Sequence, residues 1–371
     1  MTNAIDRRWL LLGGLSCGLS PAIASGASRY DAVVAPAARR DVPAGRRFDT
    51  LHGALAVAPQ AGGYRVWIAR GDWVGQVVVD TPRVTLIGED RRATRIVFSA
   101  ASGMTAPDGK RYGTYRTPTL RVVAPGFAAR NLTIANDFDG PAEMRKTGPR
   151  LLSDDPAGPQ AVALMLADAS DDVRLDGIDI LSHQDTFFPD AGRTRLTGCL
   201  IGGSYDFIFG AGTAIFDRCE IRSRLRPDAA QVIGYIAAPS TLIDHRLGLV
   251  FVRCRLTRDA GVTDATVYLA RPWRPSKRFA DGQYGNPQAV GMAAYLHCWM
   301  DAHIAAAAWT EMWYTDQSGN PRKMLQPEAV RFGEYGSSGP GARQPRRLAP
   351  LTGSQAKALL SLSRAASSQL G

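Results

Sequence analysis

Cysteine is scarce in this chain of 371 residues, with five copies, and beyond the N-terminal segment no apolar run is long enough to cross a bilayer. Those two shortages exclude a disulfide-dense scaffold and a bundle of membrane-spanning helices. Acidic residues are also in the minority: 34 Asp and Glu stand against 44 Lys and Arg, a formal net charge of +10. The imbalance favours a polyanionic partner, and nucleic acid, anionic lipid and acidic polysaccharide would each satisfy it. A formal Gly-x-Ser-x-Gly match at residues 14–18 (GLSCG) falls inside an export leader, so it is no serine nucleophile. What is plentiful is apolar content, 45% of residues, enough to bury a large core and to exclude disorder of the whole chain.

Residues 1–24 carry the marks of that leader: Arg7 and Arg8, an apolar run, then Ala22-Ile23-Ala24 before Ser25. Because Arg7-Arg8 precedes Trp9-Leu10-Leu11, both the general secretory and the twin-arginine route stay open. The expected product is exported, periplasmic or extracellular. Residues 25–46, rich in Ala, Pro and Arg without apolar periodicity, read as a linker or loosely held arm. Folded structure is expected as one elongated domain over 47–371, including a C-terminal tail. It opens with a helix in DTLHGALAVAP (49–59), capped by Asp49 or Thr50 and ended by Pro59.

After that helix the chain becomes β-rich, in short pieces such as RVWIA, GQVVVD, RVTLIG and TRIVFS. A four-residue phrase then recurs: NLTI (131–134), GIDI (177–180), GCLI (198–201), RCEI (218–221), RCRL (253–256) and HCWM (297–300). Its second and fourth residues are apolar and its third usually polar, the alternation of a strand with one buried face. Returns of 21 and 20 residues between 177, 198 and 218 predict stacked coils, and a parallel β-helix accommodates them best. Cys199, Cys219, Cys254 and Cys298 fill the same inward slot as Leu132 and Ile178, so they are expected as buried free thiols, with Cys199–Cys219 the pair to bond if one forms.

The coil length gives meaning to two carboxylates. Asp185 and Asp206 are 21 positions apart, which places them at one angular position on adjacent coils, about 4.8 Å from strand to strand. Gln184 precedes Asp185, and Gln160 lies 24 residues earlier, about one coil back. Two close carboxylates cannot both ionise easily, so one is pushed to hold a proton while the other stays anionic. Two carboxamides beside them offer N–H donors for an oxyanion. The set suits acyl transfer through a carboxylate nucleophile. Any one of these residues could instead be a turn cap or a solvated side chain; four in register are hard to explain that way.

The same residues carry a resemblance. QAVAL (160–164), QDTF (184–187), DFIFG (206–210) and ARPW (270–273) resemble, in order and approximate spacing, the four signature segments of the pectin methylesterases, or pectinesterases. GTYRTPTLRVVAPGFAARNLTIAN, GYIAAPST (234–241) and FGEYGSSGPGA extend the likeness over roughly residues 47–345. The resemblance implies a right-handed parallel β-helix, all-β with short helices at the ends, and an enzyme acting on methyl-esterified homogalacturonan. It implies Asp206 as nucleophile at the C6 carbonyl, Asp185 as acid and then base, Gln160 and Gln184 as oxyanion donors, and Arg271 as the partner that keeps Asp206 ionised. Phe188, Phe209 and Trp273 match positions that line the sugar groove, with core packing a competing role for Phe209. No cofactor or metal, no nucleic acid, no stable membrane association and a monomeric state are expected.

There are departures. GDWVG (71–75) has Trp73 and Gly75 where the family has Tyr and Glu, a change in local packing away from the catalytic set. PSKRFADGQYGNPQAV (275–290) looks like an inserted loop near the groove that could alter which polymer is accepted. Other pectin-acting β-helix enzymes fit less well: the Asn-Thr-Asp and Arg-Ile-Lys segments of polygalacturonases are missing, and LIDH (242–245) echoes one segment of the calcium-dependent lyases in isolation. A non-catalytic polymer-binding β-helix, or an esterase of the same fold with a different ester, is the alternative. A binding surface alone has no need of paired carboxylates among its cations.

Overall fold

The computed structural model describes residues 29–147, 158–227, 232, 234–343 and 345–368; the leader at 1–24 lies outside them. Among these residues the strands form three long parallel sheets of 11, 8 and 7 strands. In the eleven-stranded sheet Val173–Asp176 pairs with Arg193–Thr197, which pairs in turn with Thr213–Asp217, Leu249–Val252 and Met292–Leu296. Between successive members the chain visits the eight-stranded and then the seven-stranded sheet, so one coil delivers one strand to each. This is a right-handed parallel β-helix.

Period-two patterning makes the coils stack. Arg193–Thr197 alternates half-buried and buried residues, and its inward Leu196 lies in register with Leu175 before it and Phe216 after it. Phe216, Phe251 and Tyr295 continue that inner row as stacked rings, centroids 4.5 and 4.3 Å apart. Side chains of one coil therefore bury those of the next, which is how strands of two to six residues acquire a continuous core.

The recurring phrase is a corner rather than four residues of strand. Its first residue, Asn131, Gly177, Gly198, Arg218, Arg253 or His297, takes a left-handed φ between 51° and 59°. The strand begins at the third, as in Glu220–Ser223 and Arg255–Arg258. The path must bend from one sheet to the next within two residues, and a left-handed residue does this. The third residue is not uniformly outward either: Thr133 and Asp179 are buried because the segment around Arg91 folds over them. Thr133 Oγ1 donates to the Arg91 carbonyl at 2.8 Å and Arg91 Nε donates to Asp179 at 2.6 Å. Cys199, Cys219, Cys254 and Cys298 stack at the corner, free and buried, each sulfur 3.2–3.5 Å from a carbonyl of the preceding coil. The Cys199–Cys219 bond is not formed, and burial holds the thiols of Cys199, Cys219 and Cys254 well above their ordinary pKa.

Three further expectations are corrected. Residues 25–46 are not a loose arm throughout, nor does folded structure start at Arg47: Ala32–Val34 is a wholly buried strand between Arg46–Phe48 and Arg65–Ile68. Three residues are too few to leave a periodic signal. Helices are not confined to the ends, because α2 (Gly140–Thr147) lies mid-chain, whereas α1 (Leu51–Leu55) is capped by Thr50 as expected, with Gly53 N–H donating at 3.0 Å. The C-terminal tail is the 16-residue α3 (Gly353–Ser368), which packs Ala356, Leu359, Leu360 and Ala366 on Val250, Val252, Ala294 and Leu296 of the eleven-stranded sheet. Among the described residues no helix is long and apolar enough to cross a membrane. The insertion at 275–290 forms an antiparallel hairpin, Ser276–Phe279 with Gly282–Gly285.

Candidate active site

Three coils bring the predicted polar residues together at the edge of the seven-stranded sheet. Gln160 bridges Gln184, and Gln184 bridges Tyr205, all parallel, so Asp185 and Asp206 follow at matching positions on adjacent coils. Asp185 N–H donates to the Tyr205 carbonyl at 3.2 Å. Both aspartates adopt left-handed backbone, φ 63° at Asp185 and 47° at Asp206. Non-glycine residues held there cost of order 1 kcal/mol or more, and such strain concentrates at functional sites. Just past Asp206 the register slips by a bulge between Tyr205 and Ile208, a device that re-aims side chains.

Gln160, Gln184, Asp185, Asp206 and Arg271 are all buried, at 9% exposure or less. Arg271 directly follows Val267–Ala270, two strands beyond Tyr205–Gly210 in the same sheet. It reaches back to hold both oxygens of Asp206, Nε to Oδ1 at 2.9 Å and Nη2 to Oδ2. On the way its guanidinium lies over two rings, 4.2 Å from the centroid of Tyr235 and 4.7 Å from that of Tyr205. Burial works against the Arg271 charge, but Asp206 and the two phenols hold its pKa above the ordinary value. Asp185 is driven the other way: burial first, and the Asp206 charge second, raise its carboxyl well above the usual range despite Arg271 and a hydrogen bond from Gln184. One carboxylate is thus held by both oxygens against a buried guanidinium while its neighbour favours the neutral acid.

Gln160, Gln184, Asp185 and Asp206 line a cavity of about 100 Å³ with Thr114, Tyr115, Phe209, Trp273 and Met312, and Arg271 stands behind Asp206. Trp273 and Phe209 face it as expected, their rings 5.6 Å apart. Phe188 does not. It is fully buried, stacked on Phe209 at 4.0 Å and covered by Tyr115 at 5.5 Å, so its role is to back Phe209 rather than to meet a sugar. Tyr115, Met312, Tyr205 and Tyr235 were missed in the sequence. Tyr205 adjoins Asp206, yet nothing in one chain says that its ring and that of Tyr235, in register on the next strand, will enclose an arginine. Tyr115 is 54% exposed as a residue, but its ring packs over Phe188 at the cavity, and the loss of water there, then Asp190 and Asp185, push its phenol up to about 12.

The Pectinesterase family model matches residues 43–358. Pectinesterase A of Dickeya chrysanthemi is 36% identical over 337 residues, covering 90% of each chain. The chain belongs to the pectinesterase family. Among solved structures, the pectin methylesterase of Yersinia enterocolitica is 39% identical, with a TM-score of 0.79 over 84% of this chain and 96% of that one. A pectin methylesterase in complex with a hexasaccharide is 35% identical, with a TM-score of 0.82 over 89% and 95%. The four segments that resemble pectinesterase signatures each bring a side chain to the cavity: Gln160, Gln184 with Asp185, Asp206 with Phe209, and Trp273.

Proposed function

We propose that this protein is a pectinesterase that removes methyl groups from the C6 esters of homogalacturonan, releasing methanol. The observation that carries the reading is the unequal pair: Asp206 held by both of its oxygens against buried Arg271, beside an Asp185 that favours its protonated form. Asp206 attacks the C6 carbonyl carbon, and Gln160 and Gln184 donate to the oxygen that becomes negative. Collapse breaks the bond to the methoxy oxygen, which takes the Asp185 proton and leaves as methanol. Asp185, now a carboxylate, takes a proton from water as its oxygen attacks the acyl carbon, and the galacturonate carboxylate departs with Asp206 restored. Tyr115, Trp273 and Phe209 shape the entrance, where a ring face can pack on a pyranose.

The substrate is a polymer that grows more anionic as it reacts, in keeping with the chain's excess of basic residues. The protein acts as a monomer, without a cofactor, after export through the leader at residues 1–24. Methanol release from highly esterified pectin tests the activity: none from the wild-type protein, with pectate still bound, sinks the enzyme in favour of a binding protein. Asp206→Asn is expected to cut release by at least about 1000-fold. Near-normal release by that variant sinks the nucleophile.

A further inference from the structure

The outer face of the eleven-stranded sheet carries a second cleft, away from the seven-stranded sheet that builds the cavity above. Where the apolar contact of α3 runs out, over the strands Arg193–Thr197 and Thr213–Asp217, a space of about 370 Å³ opens, with four arginines around it: Arg195, Arg218, Arg253 and Arg364. One carboxylate lies among them. Asp217 accepts from Arg253 at 2.6 Å and pairs with Arg218 at 3.0 Å, which leaves three positive charges uncompensated around the cleft. Arg195 and Arg364 take part in no ion pair among the described residues. Ser363 adds a second, independent sign: it is 3% exposed, lines the cleft, and its hydroxyl has no hydrogen-bond partner among the described residues.

Guanidinium groups and a hydroxyl around a half-enclosed space are the donors that recognise an oxyanion. Like charges gathered without a counter-charge repel one another, so an arriving anion gains both new hydrogen bonds and relief of that repulsion. Val252 and Leu360 give the cleft an apolar wall, and its volume is in the range that takes one small ligand rather than a bare ion.

We propose that this cleft is a second, non-catalytic oxyanion site of a size for one acidic sugar. Resting on the pectin reading, it would hold a demethylated stretch of polymer while the cavity works on another. A small free anion such as phosphate shares the chemistry, and the test separates the two sources. Titration calorimetry with trigalacturonate and, separately, with inorganic phosphate is carried out on the wild-type protein, on Arg195→Gln/Arg364→Gln and on Ser363→Ala. All three replaced side chains lie outside the catalytic cavity.

For trigalacturonate the double variant is expected to lose one class of sites, at least about 10-fold in affinity, and Ser363→Ala to weaken the same class less. Methanol release from a methylated trisaccharide is expected to stay unchanged. Binding of phosphate alone, lost in the same variants, keeps the oxyanion site and assigns it a small free anion. Binding of both ligands that ignores the substitutions, or no binding of either outside the cavity, overturns the proposal. A protein that releases no methanol yet shows the variant-sensitive site would fail the proposed activity and leave this site standing.

Discussion

Two stacks of left-handed residues climb this β-helix, and they obey different rules. At the corner between the eleven- and eight-stranded sheets the position is held by Asn131, Gly177, Gly198, Arg218, Arg253 and His297, side chains with nothing in common. At the edge of the seven-stranded sheet it is held by Asp185 and Asp206, both carboxylates, both buried. The corner needs only a backbone bend, so any residue that tolerates positive φ serves. The edge uses the same bend to aim two acids at one point, and there the side chain decides. Strain alone therefore does not mark a function; strain together with buried, unequal charge does.

The contrast can be broken most sharply at Asp185. Asp185→Asn removes the proposed proton donor and is expected to slow methanol release by about 100-fold to 10,000-fold. The same change is expected to stabilise the fold at neutral pH, by about 1 kcal/mol or more for each unit of raised pKa that it abolishes. With its folded pKa raised above the ordinary 3.8, Asp185 contributes fully to stability below that value and loses the contribution as pH rises through the raised one. Denaturant melts at neutral pH and at pH 3 check this: the gain should be present in the first and absent in the second. Equal melts at neutral pH would contradict the protonated acid.

Tyr235→Leu tests whether the edge depends on its arginine clamp. Cation–π contacts of desolvated guanidinium are worth about 0.5–2 kcal/mol, so kcat is expected to fall by about 2-fold to 30-fold with KM little changed. A rise in KM with kcat unchanged would mean that the ring only touches substrate. On the corner side, Cys219→Ser puts a shorter, more polar group into the thiol stack and is expected to cost about 1–3 kcal/mol in urea unfolding, leaving kcat intact. The smallest effect is expected for Arg218→Gly, where relief of left-handed strain offsets an exposed ion pair with Asp217 and the net change stays within about 0.5 kcal/mol. A large loss there would end the claim that the corner is indifferent to its side chain.

Much of the site was legible because a β-helix converts sequence distance into spatial distance at a nearly constant rate. Twenty-one residues is one coil, so spacing alone pairs Asp185 with Asp206, and Gln160 and Gln184 with them. Arg271 was legible through its ARPW motif rather than by spacing, since long excursions between residues 221 and 267 interrupt the count. Phe188 was misplaced because a phenylalanine beside a groove and one behind it have the same local sequence; the rings that bury it, Phe209, Trp273 and Tyr115, arrive from other coils.

The amino-acid sequence by itself determined the coil, the inward rows and the identities of the acids, because period-two burial and a repeating corner are local properties. The tertiary structure decided what depended on excursions of irregular length: that Ala32–Val34 joins the sheet, that α3 lies on its outer face, and that two tyrosines enclose Arg271. It also decided the charge states, since no interval in a sequence says how much water a carboxyl keeps. Burial beside a clamped anion makes Asp185 an acid, and that burial exists only once the coils have stacked.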